Sequence, residues 1–174
     1  MTTNITGNNT QPTAELFIKI AISNWEIQNS RLNKLLAKLT DDQLLTQTAP
    51  GRNSGLYILG HLTAVNDGMF TLLELGERLY PELEPVFIKN PDNSGIEKPS
   101  VTQVREYWNA MSTLLKQKMD VMQPQDWFTK HSAISAEDFE KEPHRNKLNI
   151  LINRTNHQSY HLGQLVYLND KESA

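Results

Sequence analysis

The sequence predicts an all-α fold, a bundle of four long helices. Apolar residues recur at three- and four-residue spacing through four segments of roughly 20 to 28 residues each, which is the signature of amphipathic helices. No stretch longer than a few residues alternates as a strand would. The chain of 174 residues is long enough for one sizeable core and too short for two.

The first helix is expected from about Ala14 to Leu39, with Phe17, Ala21, Trp25, Gln28, Leu32, Leu35 and Leu39 on one face. Thr40, followed by Asp41 and Asp42, reads as the N-cap of a further short turn of helix. The loop "TQTAPGRNSG" is punctuated by Pro50, Gly51 and Gly55, and Ser54 is placed to cap the second helix. That helix is expected over Leu56 to Leu79, with Ile58, Leu62, Val65, Met69, Leu72 and Leu79 as its apolar stripe. From Tyr80 to Ser100 the prolines and the run "NPDNSG" predict a long irregular connection that either serves function or moves. A third helix follows over about Thr102 to Met122, marked by Val104, Trp108, Met111, Leu115 and Met122, and "QPQDWF" ends it. A short helix is expected at Ala136 to Lys141. The last long helix is expected to begin near Pro143 or His144, with the proline in its first turn, and to end near Asn169. Residues 1–12 read as a disordered tail and 13–170 as a single helical domain.

A net charge of −3 gives no basic field for nucleic acid, so sequence-independent phosphate binding is excluded as the main role. No stretch of about 18 apolar residues is present to span a bilayer. The N-terminal segment has neither the positive start nor the apolar run of a secretory signal, so the expected location is the cytoplasm. The complete lack of cysteine removes disulfides, thiolate ligands and a cysteine nucleophile together. Any metal must be held by His, Asp, Glu or backbone oxygen, and any thiol chemistry must bring its thiol from outside.

The last helix carries "NHQSYHLGQL", in which His157 and His161 lie four residues apart. At 3.6 residues per turn they point the same way, the arrangement in which a helix offers two ligands to one metal. A metalloprotease motif needs Glu directly after the first His; Gln158 stands there, so that reading is rejected. Two imidazoles alone are as readily a solvated or hydrogen-bonded pair. His61, in "YILGHLTAVND" on the edge of the second helix's stripe, is the candidate third ligand. Three imidazoles form the protein part of a catalytic zinc-type site that leaves positions open for water or substrate. His131 and His144 lie in polar segments and are expected to be solvated. Asp67 falls off the face of His61, so no carboxylate partner for the metal is evident. Gln164, one turn after His161, is a candidate either to hold a metal-bound water or a substrate carbonyl, or to bond across helices. Gly163 is read as allowing close helix packing, and Trp25, Trp108 and Tyr160 as core or pocket aromatics. The last helix has two stripes: Leu148, Leu151, Ile152, Thr155, Ser159, Leu162 and Val166 on one side, Ile150, His157, His161, Gln164 and Leu168 on the other.

With "LGHL" on the second helix and "HQSYHLGQL" on the last, the chain resembles the DinB/YfiT-like superfamily, whose signature is an early His on helix two and a late H-x-x-x-H followed by x-G-Q. His61, His157, His161, Gly163 and Gln164 stand in the matching places, and the resemblance covers roughly Ala14 to Asn169. It implies a four-helix bundle, commonly a homodimer, with one divalent transition metal (Zn, Ni or Mn) on the three histidines. Characterised members of that superfamily include bacillithiol S-transferases and a mycothiol-dependent maleylpyruvate isomerase. The function so implied is metal-dependent transfer, with a low-molecular-weight thiol cosubstrate activated to attack a small electrophile. The alternatives are a metal-dependent hydrolase that activates water, and a non-catalytic bundle that binds metal or ligand.

Overall fold

The computed structural model describes residues 11–169, so the expected tail lies outside them save for its last two positions. The described residues form helices α1 (Gln11–Leu36), α2 (Asp41–Leu45), α3 (Gly55–Asp67), α4 (Met69–Leu72), α5 (Leu83–Phe87), α6 (Val101–Asp120), α7 (Ala136–Lys141) and α8 (Lys147–Val166), with a 3₁₀ turn at Pro124–Phe128 between α6 and α7. No strand occurs among the described residues; there are only isolated bridges, Gln47 to Ser54 and Lys130 to Asn146. The fold is all-α. Its long elements pack α1 against α8 and α3 against α6, with α3 also touching α8 and α5.

Local sequence sets the boundaries. Thr40 caps α2 and Ser100 caps α6 with full capping boxes, in which Gln43 and Gln103 reach back to the cap N–H. Ser54 caps α3 through the N–H of Tyr57. The first helix stops at Leu36 because the N–H groups of Lys38 and Leu39 both turn back onto the Leu35 carbonyl before Thr40 starts α2. Arg105 on α6 fastens this end, donating to the carbonyls of Leu36 at 2.8 Å and Leu39 at 2.7 Å and pairing with Asp41.

Two expected helices are shorter than their apolar periodicity suggests. The second breaks at Gly68, continues only to Leu72, and then reverses through Glu74 (φ 59°) and Gly76 (φ 136°). Buried Asp67 locks the reversal by accepting the N–H groups of Leu79 at 2.8 Å and Tyr80 at 3.0 Å, with Arg78 beside it. The last helix begins at Lys147 rather than at Pro143 or His144. Asn146 wins the cap by accepting from the Asn149 N–H at 2.9 Å, which leaves Pro143 and His144 outside the helix.

The core runs through Trp25, Leu32 and Leu36 of α1, Ile58, Leu59 and Leu62 of α3, Trp108, Met111 and Leu115 of α6, and Leu148, Leu151 and Leu165 of α8. Trp108 donates from Nε1 to Asn33 Oδ1 at 2.8 Å, so the ring is buried with its polar atom paired. At the start of α1 the inward residue is Ile18, and Phe17 is 61% exposed, a correction to the expected stripe. Ile152 and Val166 of α8 are likewise exposed, while Gln158 is fully buried in their stead.

The connection after α3 is not a bare loop. It contains α5 and is fastened along α3: the Ser54 N–H donates to Asp92 at 2.7 Å and the Tyr57 hydroxyl donates to the Asn90 carbonyl at 2.6 Å. Lys98 pairs with Asp92 in the same strap.

Candidate metal centre

His61 sits on α3 where that helix meets α5. At Gly60 a Cβ would lie 2.5 Å from the ring of Phe87, so only glycine lets this aromatic ring close onto the helix. The seated Phe87 brings its carbonyl to 2.8 Å from His61 Nδ1. A carbonyl can only accept, so Nδ1 carries the proton and Nε2 is left with its lone pair. Tyr57, one turn earlier on α3, stacks parallel to the His61 ring at 6.4 Å and meets Phe87 edge-on.

His161 is oriented in the same manner by a side chain. Its Nδ1 donates to Gln164 Oε1 at 2.7 Å, and Gln164 Nε2 in turn donates to the Tyr160 hydroxyl at 3.2 Å. His161 Nε2 therefore also presents a lone pair. Both lone pairs face one atom: His157 Nε2 lies 3.2 Å from His61 Nε2 and 3.1 Å from His161 Nε2. A proton on His157 Nε2 can satisfy one of these contacts and leaves the other as lone pair against lone pair. A cation at the centre satisfies all three. Ligand nitrogens at about 2.05 Å from a metal are separated by about 3.3 Å in tetrahedral and about 2.9 Å in octahedral geometry, and the observed spacings fall between. His157 Nδ1 is buried without a partner.

Electrostatics favour neutral rings. Burial, then the neighbouring His161, His61 and Arg154, push the His157 pKa from its ordinary 6.5 to about 4. Burial lowers that of His161 as well, against the opposing pull of Gln164. Neutral imidazoles are the form that binds metal, so His157 and His161 are poised as donors near neutral pH. Among the described residues no carboxylate oxygen joins the three, and His61, His157 and His161 together could hold one metal ion.

The family model of the DinB superfamily matches residues 24–165. The chain belongs to the DinB superfamily. The matched stretch contains all three histidines and runs from α1 to α8, so the DinB assignment and the convergence of the rings rest on the same segments. No curated protein matches the chain in sequence.

Beside the triad this DinB chain has a cleft of about 260 Å3, lined by Thr48, Arg52, Asn53, Tyr160, His161 and Gln164 among others. Tyr160 is thus a pocket residue, whereas Trp25 and Trp108 are core and reach no part of it. Gly163 does not serve close packing: a Cβ there would meet nothing within 4 Å. Asp67 stays apart from the triad, engaged with the turn after α4. His131 is not solvated as expected. It is buried, accepting the Ala133 N–H on Nδ1 at 3.2 Å, because the segment after the 3₁₀ turn folds back to the Leu72 carbonyl. His144 is exposed, in line with its polar surroundings.

Three contributors escaped the sequence reading. The Phe87 carbonyl is backbone and leaves no side-chain signal. Arg52 belongs to a loop whose path is set by tertiary contacts. Arg154 had a signal, since it stands on the ridge Ile150, Arg154, His157, His161 at helical spacing. It is half-buried, and its Nε is sealed from solvent without a hydrogen-bond partner.

Proposed function

We propose that His61, His157 and His161 bind one divalent transition metal (Zn, Ni or Mn), and that the protein is a metal-dependent transferase acting on a low-molecular-weight thiol and a small electrophile. The carrying observation is the convergence of three Nε2 atoms while acceptors hold the Nδ1 protons of His61 and His161. A divalent cation held there would supply the charge that makes a bound thiol acidic enough to lose its proton near neutral pH. Three imidazole donors, with no fourth protein ligand among the described residues, leave coordination positions open, which suits a reactive rather than a purely structural site.

The chain's own contribution is orientation. Phe87 and Gln164 fix the tautomers of two rings, the support that metal-binding imidazoles characteristically need. The cleft bounded by Tyr160, Arg52 and His161 is the route by which the small molecules approach. No helix among the described residues is long and apolar enough to cross a membrane.

Purified protein should carry close to one equivalent of transition metal. His157→Ala should lose it while keeping its helical circular dichroism. With the metal in place, bacillithiol, glutathione or coenzyme A mixed with monochlorobimane should give metal-dependent conjugate. Full metal occupancy with silence toward every thiol would remove the transfer reading, and protein free of metal even after supplemented growth would remove the site.

We also infer a homodimer. Phe17, Ile20 and Ile152 are exposed around a groove of about 680 Å3 between α1 and α8, a contiguous apolar patch of the kind that marks an interaction face. Light scattering should give twice the chain mass for the wild type and the single mass for Ile20→Asp.

A further inference from the structure

Most part-buried cations have an acidic partner, and Lys130 reaches the Ile134 carbonyl instead. Arg78 pairs with Asp67 and Glu84, Lys98 with Asp92, Arg105 with Asp41, and Lys147 with Glu74. Arg154 breaks this pattern. Among the described residues no carboxylate and no hydrogen-bond acceptor meets it, and its Nε is sealed from water. A guanidinium stays protonated at any ordinary pH, so a desolvated one without a counter-charge is an open demand for an anion.

Its position says which anion. Arg154 precedes His157 by three residues on α8, so the two side chains are neighbours on one helix face. On the other side of the triad, the only charged residue lining the cleft is Arg52. A metal at the triad would add positive charge, and among the described residues no carboxylate joins the three rings, so the approach attracts anions.

We propose that Arg154, one helical turn before His157 on the same face of α8, is the anchor for a carboxylate of the small molecule that reacts at the triad. The proposal rests on the metal reading of the three histidines. A single planar guanidinium matches the two oxygens of a carboxylate, whereas a phosphate dianion calls for more donors than Arg154 alone supplies.

The test is calorimetric titration of zinc-loaded and metal-free protein with succinate, succinamide and inorganic phosphate, with zinc content measured on every sample. Wild type should prefer succinate over succinamide by about tenfold or more, the loss expected when a charge-assisted bond is removed. Arg154→Met should abolish that preference and Arg154→Lys should keep part of it, with zinc content unchanged in both. Equal binding of succinate and succinamide by wild type overturns the proposal, as does an undiminished preference in Arg154→Met or a preference for phosphate. If Arg154→Met does not fold, wild type and Arg154→Lys still decide the matter through succinate against succinamide. The two readings fail separately. Protein that takes up no zinc refutes the metal site, while the metal-free titrations still report on Arg154; zinc uptake without carboxylate preference refutes the anchor alone.

Discussion

Phe87 holds His61 through its backbone: the carbonyl accepts the imidazole Nδ1 proton at 2.8 Å, across 26 residues of chain, and Gly60 is what lets the two elements close. An added methyl at that glycine has no room, because Phe87 is fully buried and its ring cannot swing aside. Gly60→Ala should therefore lower stability by a net of about 1–2 kcal/mol, overpacking outweighing the gain in helix propensity. The same displacement moves the carbonyl from His61, so metal affinity measured against a competing chelator should fall in parallel. Unchanged affinity in a folded variant would show that Phe87 does not position the ring.

Gln164 should behave as a positioning residue for His161. Removing the acceptor in Gln164→Leu frees the ring and its tautomer, and such losses typically weaken metal binding by about 10- to 100-fold. Gln164→Glu keeps an acceptor at the same reach and should retain most of the affinity. Equal weakening by the two substitutions would argue for a steric rather than a hydrogen-bonding role.

Arg105 should be worth more than a surface cation. Its guanidinium donates to the carbonyls of Leu36, at the end of α1, and Leu39, just beyond it. Arg105→Met should cost about 1–3 kcal/mol of stability in chemical denaturation, the range for leaving part-buried acceptors unpaired. The contact with exposed Asp41 adds little, so Asp41→Asn should be close to neutral.

His131 makes stability depend on pH. Burial first, then the cations Arg145 and Lys130, lower its pKa below the ordinary 6.5, so the folded state favours the neutral ring. Above 6.5 the ring is neutral in both states and contributes nothing to the pH dependence. As pH falls below that value the unfolded chain takes up the proton first, and the folded state loses ground. His131→Gln should flatten the decline of melting temperature between pH 7 and pH 5 relative to wild type. Parallel profiles would place the decline elsewhere.

Much of the fold was legible because helices announce themselves by period and caps. Thr40, Ser54 and Ser100 mark helix starts with a side-chain oxygen that the structure uses, and α7 runs over the residues its polar spacing indicates. Periodicity failed where a tertiary contact ended a helix that the apolar pattern would have continued. Asp67 captures the N–H groups of Leu79 and Tyr80 from twelve and thirteen residues away, and nothing local encodes that. The three histidines were legible because spacing on one helix and family motif coincide. Of their two supports, Gln164 was a sequence candidate, whereas the Phe87 carbonyl is backbone and leaves no side-chain signal. The burial of His131 was hidden as well, because it depends on a turn stitched to Leu72.

His61 and His157 are 96 residues apart, with α6 folded against α3 in the interval. During synthesis the chain therefore offers only one of the three imidazoles until α8 has been made. A growing polypeptide has no pre-formed place to capture a stray cation, and a chain cut before α8 has a single histidine where the complete one has three. The three-imidazole cluster therefore exists only once α8 has docked against α3, so it reports the pairing of the two helices that carry it.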